Sequence, residues 1–149
     1  MRLAIIMALV AVPASAMAAP DGAAIYKRCA ACHLPTGAGV PGAFPGLVKE
    51  PRKLATKPEG RRYLALVVTK GVSGPMVVDG KGYRGIMPAQ SGLDDEAVAA
   101  VLNHVTGTLG TEGKAPKPFT AAEIAAARKG GAALTSADVG KLHERVSGK

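Results

Sequence analysis

The stretch RCAACHLPTG at residues 28–37 holds both cysteines of this 149-residue chain, and a histidine directly follows the second one. On a helix, thiols three residues apart lie on the same side, so Cys29 and Cys32 can act on one target. Two thiols and an imidazole within five residues suit four kinds of chemistry. They are a structural disulfide, a thiol redox pair, a metal site and a haem attachment site.

Three of these interpretations leave part of the pattern unexplained. A disulfide accounts for neither His33 nor the tight spacing, and a thioredoxin-like pair needs a βαβ context that the sequence does not offer. Zinc needs four ligands, and His104 and His143 stand far away in the sequence without a paired spacing. The pattern C-x-x-C-H is that of c-type haem attachment, with two thioethers to the porphyrin and the histidine at the iron. It therefore predicts one covalent haem on Cys29, Cys32 and His33.

Three helices are predicted to position this group. Asp21 can cap a helix that runs to about His33, and further helices are predicted over residues 58–70, ending at Gly71, and over residues 94–106. Residues 34–51 and 72–93 are rich in Gly and Pro and are predicted to be loops. No alternating strand pattern is recognised. The sequence thus predicts an all-α fold, with long loops wrapped around a functional site.

The N-terminal stretch MRLAIIMALVAVPASAMAAP has the pattern of a secretory signal peptide. Arg2 is followed by an apolar run over residues 3–12 and by small residues that offer cleavage sites near Ala18 and Ala19. The apolar run is shorter than the roughly 20 residues that a membrane-spanning helix needs. We therefore expect residues 1–19 to be removed and the mature protein to be periplasmic, with no stable membrane span.

Composition and charge further limit the classes of function that the protein can have. Hydrophobic residues make up 48% of the chain, but aromatic residues only 3%, so a bulky buried cofactor would help to complete the core. The formal net charge is +8, or +7 without Arg2. Nucleic-acid binding is disfavoured by the export signal and by the few aromatic residues. The excess charge either keeps the protein soluble or forms a basic docking face for acidic partners. Candidate cations for that face are Lys27, Arg28, Lys49, Lys53, Lys81 and Arg84.

Residues 21–108 resemble the class I cytochromes c. DGAAIYKRCAACH is similar to the N-terminal helix of that family, with Gly22 seven and Tyr26 three residues before the first haem cysteine. GKGYRGIMPAQSGLDDEAVAAVLNHV is similar to the axial-methionine loop and C-terminal helix. The form G-x-x-Y-x-G-x-M-P-A is similar to cytochromes that accompany periplasmic dehydrogenases and copper reductases. The resemblance implies the class I fold and single-electron transfer.

The resemblance also implies the second axial ligand of the iron. Met87 is followed by Pro88 and precedes the third helix by a short loop, as the ligand of the family does. The other methionine beyond the signal peptide, Met76, is predicted to be a thioether that fills the core. His104 and His143 are predicted to lie away from the iron.

Two further residues are expected around the haem. A haem histidine generally donates its other ring N–H to a backbone carbonyl. The resemblance suggests Pro45 as the residue that supplies this carbonyl to His33, with Pro41 as the alternative because the loop varies in length. Tyr83 is expected to pack against the haem or to reach a propionate, although it can equally serve only to cover the loop.

The C-terminal region extends beyond the minimal family pattern. After the linker TEGKAPKP, the segments FTAAEIAAAR and LTSADVGKLHER repeat one arrangement. Thr120 with Glu123 and Thr135 with Asp138 are predicted capping boxes of two short helices. Such helices need a partner surface, which is either the haem domain or another protein. The linker and the completeness of the haem domain favour a clip for a partner, such as a dehydrogenase subunit.

The predicted organisation is a signal peptide at 1–19, a haem domain at 20–109 and a linker with a helical extension at 110–149. The predicted function is that of a periplasmic electron carrier with haem c on His33 and Met87, and not that of an enzyme. A periplasmic dehydrogenase is the expected donor and a terminal oxidase or reductase the expected acceptor. The protein is either a free carrier or the cytochrome subunit of a redox enzyme. Two alternatives stay open: a peroxidase or gas sensor with a labile sixth site, and a non-haem disulfide oxidoreductase.

Overall fold

A computed structural model describes residues 19–148, which form six α-helices and one two-stranded sheet. The helices are α1 (Gly22–His33), α2 (Glu50–Leu54), α3 (Pro58–Lys70), α4 (Asp95–Asn103), α5 (Ala121–Gly130) and α6 (Ser136–Ser147). The strands are β1 (Val72–Val78) and β2 (Lys81–Met87). The predicted signal peptide lies almost entirely outside the described residues. Within the described part of the chain, no helix is long and apolar enough to cross a membrane.

The three predicted main helices are present as α1, α3 and α4. The Asp21 carboxylate accepts a hydrogen bond from the Ala23 N–H at 2.9 Å, and Asp94 does the same for Ala97 at 2.8 Å. Both are N-caps of the expected type. The third helix ends differently from the prediction, because a π-helical segment (His104–Leu109) continues α4.

The all-α prediction needs correction, because residues 72–87 form an antiparallel hairpin. Asp79 and Gly80 connect the strands, and both have positive φ angles, +49° and +78°. This is the backbone of a type I′ turn, for which Asp-Gly is a preferred sequence. Gly74 and Pro75 interrupt the apolar pattern of β1, which is why the region was predicted to be a loop.

A second correction concerns α2, a five-residue helix that begins within the predicted loop. Its residue Arg52 is buried and donates to the carbonyl oxygens of Thr106 at 2.7 Å, Gly110 at 2.6 Å and Gly113 at 3.2 Å. These carbonyls belong to the π-helical segment and the chain that follows it, where a helix end leaves acceptors unpaired. Arg52 thus joins α2 to the end of the α4 region.

The helix that carries the cysteines crosses α4 at close range. A Cβ atom at Gly22 would collide with the carbonyl oxygen of Ala100. Only glycine allows this backbone approach. Tyr26 of α1 packs with Val101 and Val105 in a small core cluster beside the crossing. α1 is therefore held rigidly against α4.

The C-terminal helices pack on the predicted haem domain, which is the alternative to the favoured clip for a partner. Helix α5 contacts α3 and α4, and α6 contacts α3 and β1. Phe119, Ile124, Ala127 and Val139 are buried in the main core cluster. Helices of this length gain stability from tertiary packing, and here the core itself supplies the surface.

Candidate functional site

One apolar cavity lies between the end of α1, the 43–47 loop, α2, α3 and the hairpin. It encloses about 930 Å³ of empty space, part of which is open to solvent. Most of the wall is apolar, including Phe44, Leu47, Leu54, Leu64, Val67, Val72, Val78 and Ile86.

His33 ends α1 and lines this cavity. Its side chain is buried, and Nδ1 donates to the carbonyl oxygen of Pro45 at 2.8 Å. Because a carbonyl only accepts, this bond places the proton on Nδ1 and leaves Nε2 with a free lone pair. Burial lowers the pKa of His33, although the Pro45 hydrogen bond opposes this in part. The imidazole is therefore neutral at neutral pH, the form that binds metals.

Pro45 is the first of the two residues that the sequence suggests as the source of the carbonyl that accepts from His33. Pro45 is half-buried in the cavity wall, whereas Pro41 is exposed and does not line the cavity. The loop between α1 and α2 thus brings Pro45, twelve residues further along the chain, back to the histidine ring.

The two thiols lie on α1 in different surroundings. Cys32 is exposed and lines the cavity, while Cys29 is half-buried beside the small core cluster. Burial raises the pKa of the Cys29 thiol. The two sulfur atoms are not joined in a disulfide. Both are thus available for bonds to another group.

The hairpin brings both methionines of the described chain to the cavity. Met87 ends β2 opposite Val72, and Met76 in β1 lies opposite Tyr83. Both methionine side chains are half-buried, line the cavity and pack against the main core cluster. Met76 was expected only to fill the core, and it also lines the cavity. The choice of Met87 as a ligand stays a prediction.

Tyrosine and carboxylate groups complete the wall. Tyr83 is buried and lines the cavity, and its contact with the haem stays a prediction. Tyr63 and Glu50 also line it and were not predicted to do so. Burial and the nearby charge of Glu50 raise the pKa of Tyr63, so its hydroxyl keeps its proton. Tyr63 lies on α3, and Glu50 lies on α2, the short helix that the sequence does not predict.

The remaining histidines do not line this cavity. His104 lies at the start of the π-helical segment with its ring 5.3 Å from that of Tyr26, measured between centroids. His143 is buried on α6, with Nε2 3.0 Å from Glu50 Oε2. That these two rings lie away from the iron stays a prediction.

The arrangement fits a haem group attached to α1. The cavity is large and apolar, and Cys32 lines it with Cys29 one helical turn away. The neutral imidazole of His33 and the side chains of Met76 and Met87 line it as well. Histidine and methionine are ligands that hold haem iron in electron-transfer proteins. Fold and site together define a c-type haem protein.

Comparison with known proteins agrees with this class. A family model described as "Cytochrome c" matches residues 19–108. The chain is 43% identical over 121 residues to a cytochrome c-552 of Thermus thermophilus, covering 80% of this chain and 82% of the relative. A second Thermus thermophilus protein of that name is 45% identical over 106 residues, covering 70% of this chain and 81% of the relative. The chain belongs to the class I cytochrome c family. It carries a covalent c-type haem and functions in haem-based electron transfer.

Proposed function

We propose that the protein is a periplasmic electron carrier whose haem iron is bound by His33 and Met87 and whose porphyrin is attached to Cys29 and Cys32. The observation that carries this proposal is that His33, with its ring fixed by Pro45, and Met87 line the same apolar cavity. The bound haem supplies a one-electron centre, and the residues of the chain set its ligands, surroundings and access.

The state of the His33 ring suits it to be one of the two ligands of the haem iron. Its hydrogen bond to the Pro45 carbonyl fixes the tautomer and orients the ring, which also makes Nε2 a better ligand. Burial keeps the imidazole neutral, so no proton has to leave before the iron binds.

Met87 is favoured over Met76 because the backbone around it is anchored. Gly71, which ends α3 with a φ angle of +74°, lies so close that a Cβ atom there would collide with the Met87 carbonyl oxygen. Three residues beyond the methionine, the Gln90 N–H donates to the Val68 carbonyl at 2.8 Å. Met76 lies in mid-strand beside Pro75, between Gly74 and the exposed Val77. A ligand on a fixed backbone is better preorganised.

Ligation by two side chains would suit electron transfer. His33 and Met87 would together hold the iron and leave oxygen and peroxide no place to bind, and His/Met ligation raises the reduction potential of a haem. The apolar lining of the cavity further favours the less charged, reduced centre. A carrier of this kind passes electrons onward, from a periplasmic dehydrogenase to a terminal oxidase or reductase.

Docking is proposed to use the positive charge of the protein. The six candidate cations are all exposed: Lys27, Arg28, Lys49, Lys53, Lys81 and Arg84. Lys49 Nζ also lies 3.9 Å from Glu112 Oε2. Both side chains are exposed, so this ion pair is weak and Lys49 keeps most of its effect on the surface potential. Complementary charge steers partners together and speeds encounter. The signal-peptide pattern supports a periplasmic location.

A matched pair of methionine variants tests the ligation. In Met87→Ala, the thioether-to-iron charge-transfer band of the ferric protein should vanish, and the ferrous protein should bind carbon monoxide. Met76→Ala removes a thioether from the same cavity and should leave both properties as in the wild type. Loss of the band in Met76→Ala alone would reverse the assignment. Carbon monoxide binding by the wild-type protein would instead favour a labile sixth site.

The attachment to both cysteines is tested by mass. The denatured protein, produced in a host with a haem-attachment system, should have the mass of the polypeptide plus one haem. Haem that is released by acid and acetone would contradict two thioether bonds.

A further inference from the structure

A buried titratable pair joins the C-terminal helix to the wall of the haem cavity. His143 on α6 is 2% exposed, and its Nε2 lies 3.0 Å from Oε2 of Glu50 on α2. The His143 ring also contacts Tyr63, with 5.6 Å between ring centroids. Glu50 and Tyr63 line the haem cavity, whereas His143 stands behind them. Iron ligation and haem attachment use none of these three side chains.

We propose that the His143–Glu50 pair is a redox-linked proton site, which binds one proton from solvent when the protein accepts an electron and releases it when the electron leaves. This inference rests on the proposed role as an electron carrier. The electron comes from the redox partner and the proton from water, and no covalent bond other than that of the proton changes.

The reason is electrostatic. An electron adds one negative charge to an apolar cavity of which Glu50 forms part of the wall. Charges in such surroundings interact more strongly than in water, and a proton on the pair removes one unit of negative charge. Two unit charges on the order of 10 Å apart, at an effective dielectric constant of about 20, change each other's proton affinity by roughly tenfold. The pair should therefore hold its proton more tightly in the reduced protein.

Histidine is the member suited to exchange this proton. It is the side chain whose charge changes nearest to neutral pH. His143 also lines a second cavity that is open to solvent, which offers the proton a route from water. The carboxylate of Glu50 accepts the hydrogen bond of the protonated ring. Proton exchange would thus take place through the second cavity, which His143 lines and the first cavity does not include.

Other charged and titratable groups lie on the elements around His143. Helix α6 packs against α3, which presents Tyr63, and against β1, which contains no titratable side chain. The second cavity adds Glu144 of α6 and Tyr83 and Arg84 of β2. Glu144 and Arg84 are exposed, so solvent screens their charges more than that of the buried pair.

The test is the pH dependence of the midpoint potential of the full-length holoprotein. Spectroelectrochemical titration from about pH 5 to about pH 9 brackets the ordinary range of histidine. The wild-type potential should fall as pH rises through the range in which the pair loses its proton. In His143→Gln this part of the fall should be lost. His104→Gln is the matched control: it removes a histidine that lines neither cavity and should keep the wild-type profile.

A second measurement on the unmodified protein keeps the proposal testable if a variant fails to fold. Ring resonances of His143, followed by nuclear magnetic resonance, should titrate at a higher pH in the reduced than in the oxidised protein, by about tenfold in proton affinity. Equal midpoints in the two redox states would overturn the proposal. So would a wild-type pH profile in a folded His143→Gln variant. A protein that cannot be reduced and reoxidised reversibly by one electron would refute the carrier role instead.

Discussion

Arg61 of α3 fastens the C-terminal extension to the haem domain, and its removal should destabilise the whole fold. Its Nε and Nη2 donate to the two carboxylate oxygens of Glu123 at 2.7 and 2.8 Å. The same guanidinium donates to the Lys117 carbonyl at 2.7 Å and the Pro118 carbonyl at 3.1 Å. Its central carbon lies 4.0 Å from the centroid of the Phe119 ring. Arg61→Ala removes all of these contacts at once.

The expected cost follows from burial. The Arg61 side chain is 14% exposed and that of Glu123 is 42% exposed, so the pair is neither fully buried nor fully screened. Hydrogen bonds to charged groups contribute about 1.5–3 kcal/mol each, exposed ion pairs about 0–1 kcal/mol, and an exposed cation–π contact about 0.5–1 kcal/mol. Allowing for solvent exposure and for contacts that are not additive, we expect Arg61→Ala to lower the free energy of unfolding by about 2–4 kcal/mol. The melting temperature should then fall by roughly 10 °C in a domain of this size.

Denaturant unfolding of the holoprotein, followed by circular dichroism and by haem absorbance, measures this loss. Arg62→Ala is the matched control, since it also removes one arginine from α3. Arg62 makes a single exposed hydrogen bond, to the Gly130 carbonyl at 3.0 Å, and its loss should cost about 0.5 kcal/mol. Equal losses in the two variants would refute the reasoning, because they would show that the contacts of Arg61 add nothing to those of a surface arginine.

Three further outcomes are expected. Truncation after Gly113 removes Ile124 and Val139 from the main core, so denaturant should unfold the remaining protein at a markedly lower concentration. An unchanged midpoint would restore the interpretation of the extension as a partner clip. Hydrogen bonds from Arg61 hold the pKa of Glu123 below its ordinary value, so their stabilisation is complete above about pH 4.3 and is lost as pH falls through the lowered pKa. The difference in unfolding free energy between wild type and Glu123→Gln should therefore shrink in acid; a constant difference would contradict this. Finally, exposed charges are screened beyond about 8 Å at physiological salt, so the rate of electron exchange with an acidic partner should fall as ionic strength rises. A flat salt dependence would leave the positive charge a role in solubility alone.

Features that depend on a few neighbouring residues could be predicted from the sequence. The cap of α1 is made by Asp21, and the capping boxes of α5 and α6 join Thr120 to Glu123 and Thr135 to Asp138. Each bond connects residues two or three positions apart, so the local sequence contains both partners. The turn at Asp79 and Gly80 also depends only on neighbouring residues. It was not predicted, because glycines and a proline interrupt the alternating pattern of the strands on either side.

The sequence also determined the chemistry of the site, since C-x-x-C-H places two thiols and an imidazole on one helical turn whatever the rest of the chain does. It could not determine what surrounds them. Glu50 and His143 are 93 residues apart in the sequence, and Arg61 and Glu123 are 62 residues apart. Such pairs exist only because α5 and α6 pack on α3, and the periodicity of a helix shows which face is apolar but not which surface covers it. The sequence by itself therefore determined which group the protein binds, and it predicts where that group is attached. Only the tertiary structure, through packing between distant segments, decided that the C-terminal extension completes the core and reaches the wall of the haem cavity.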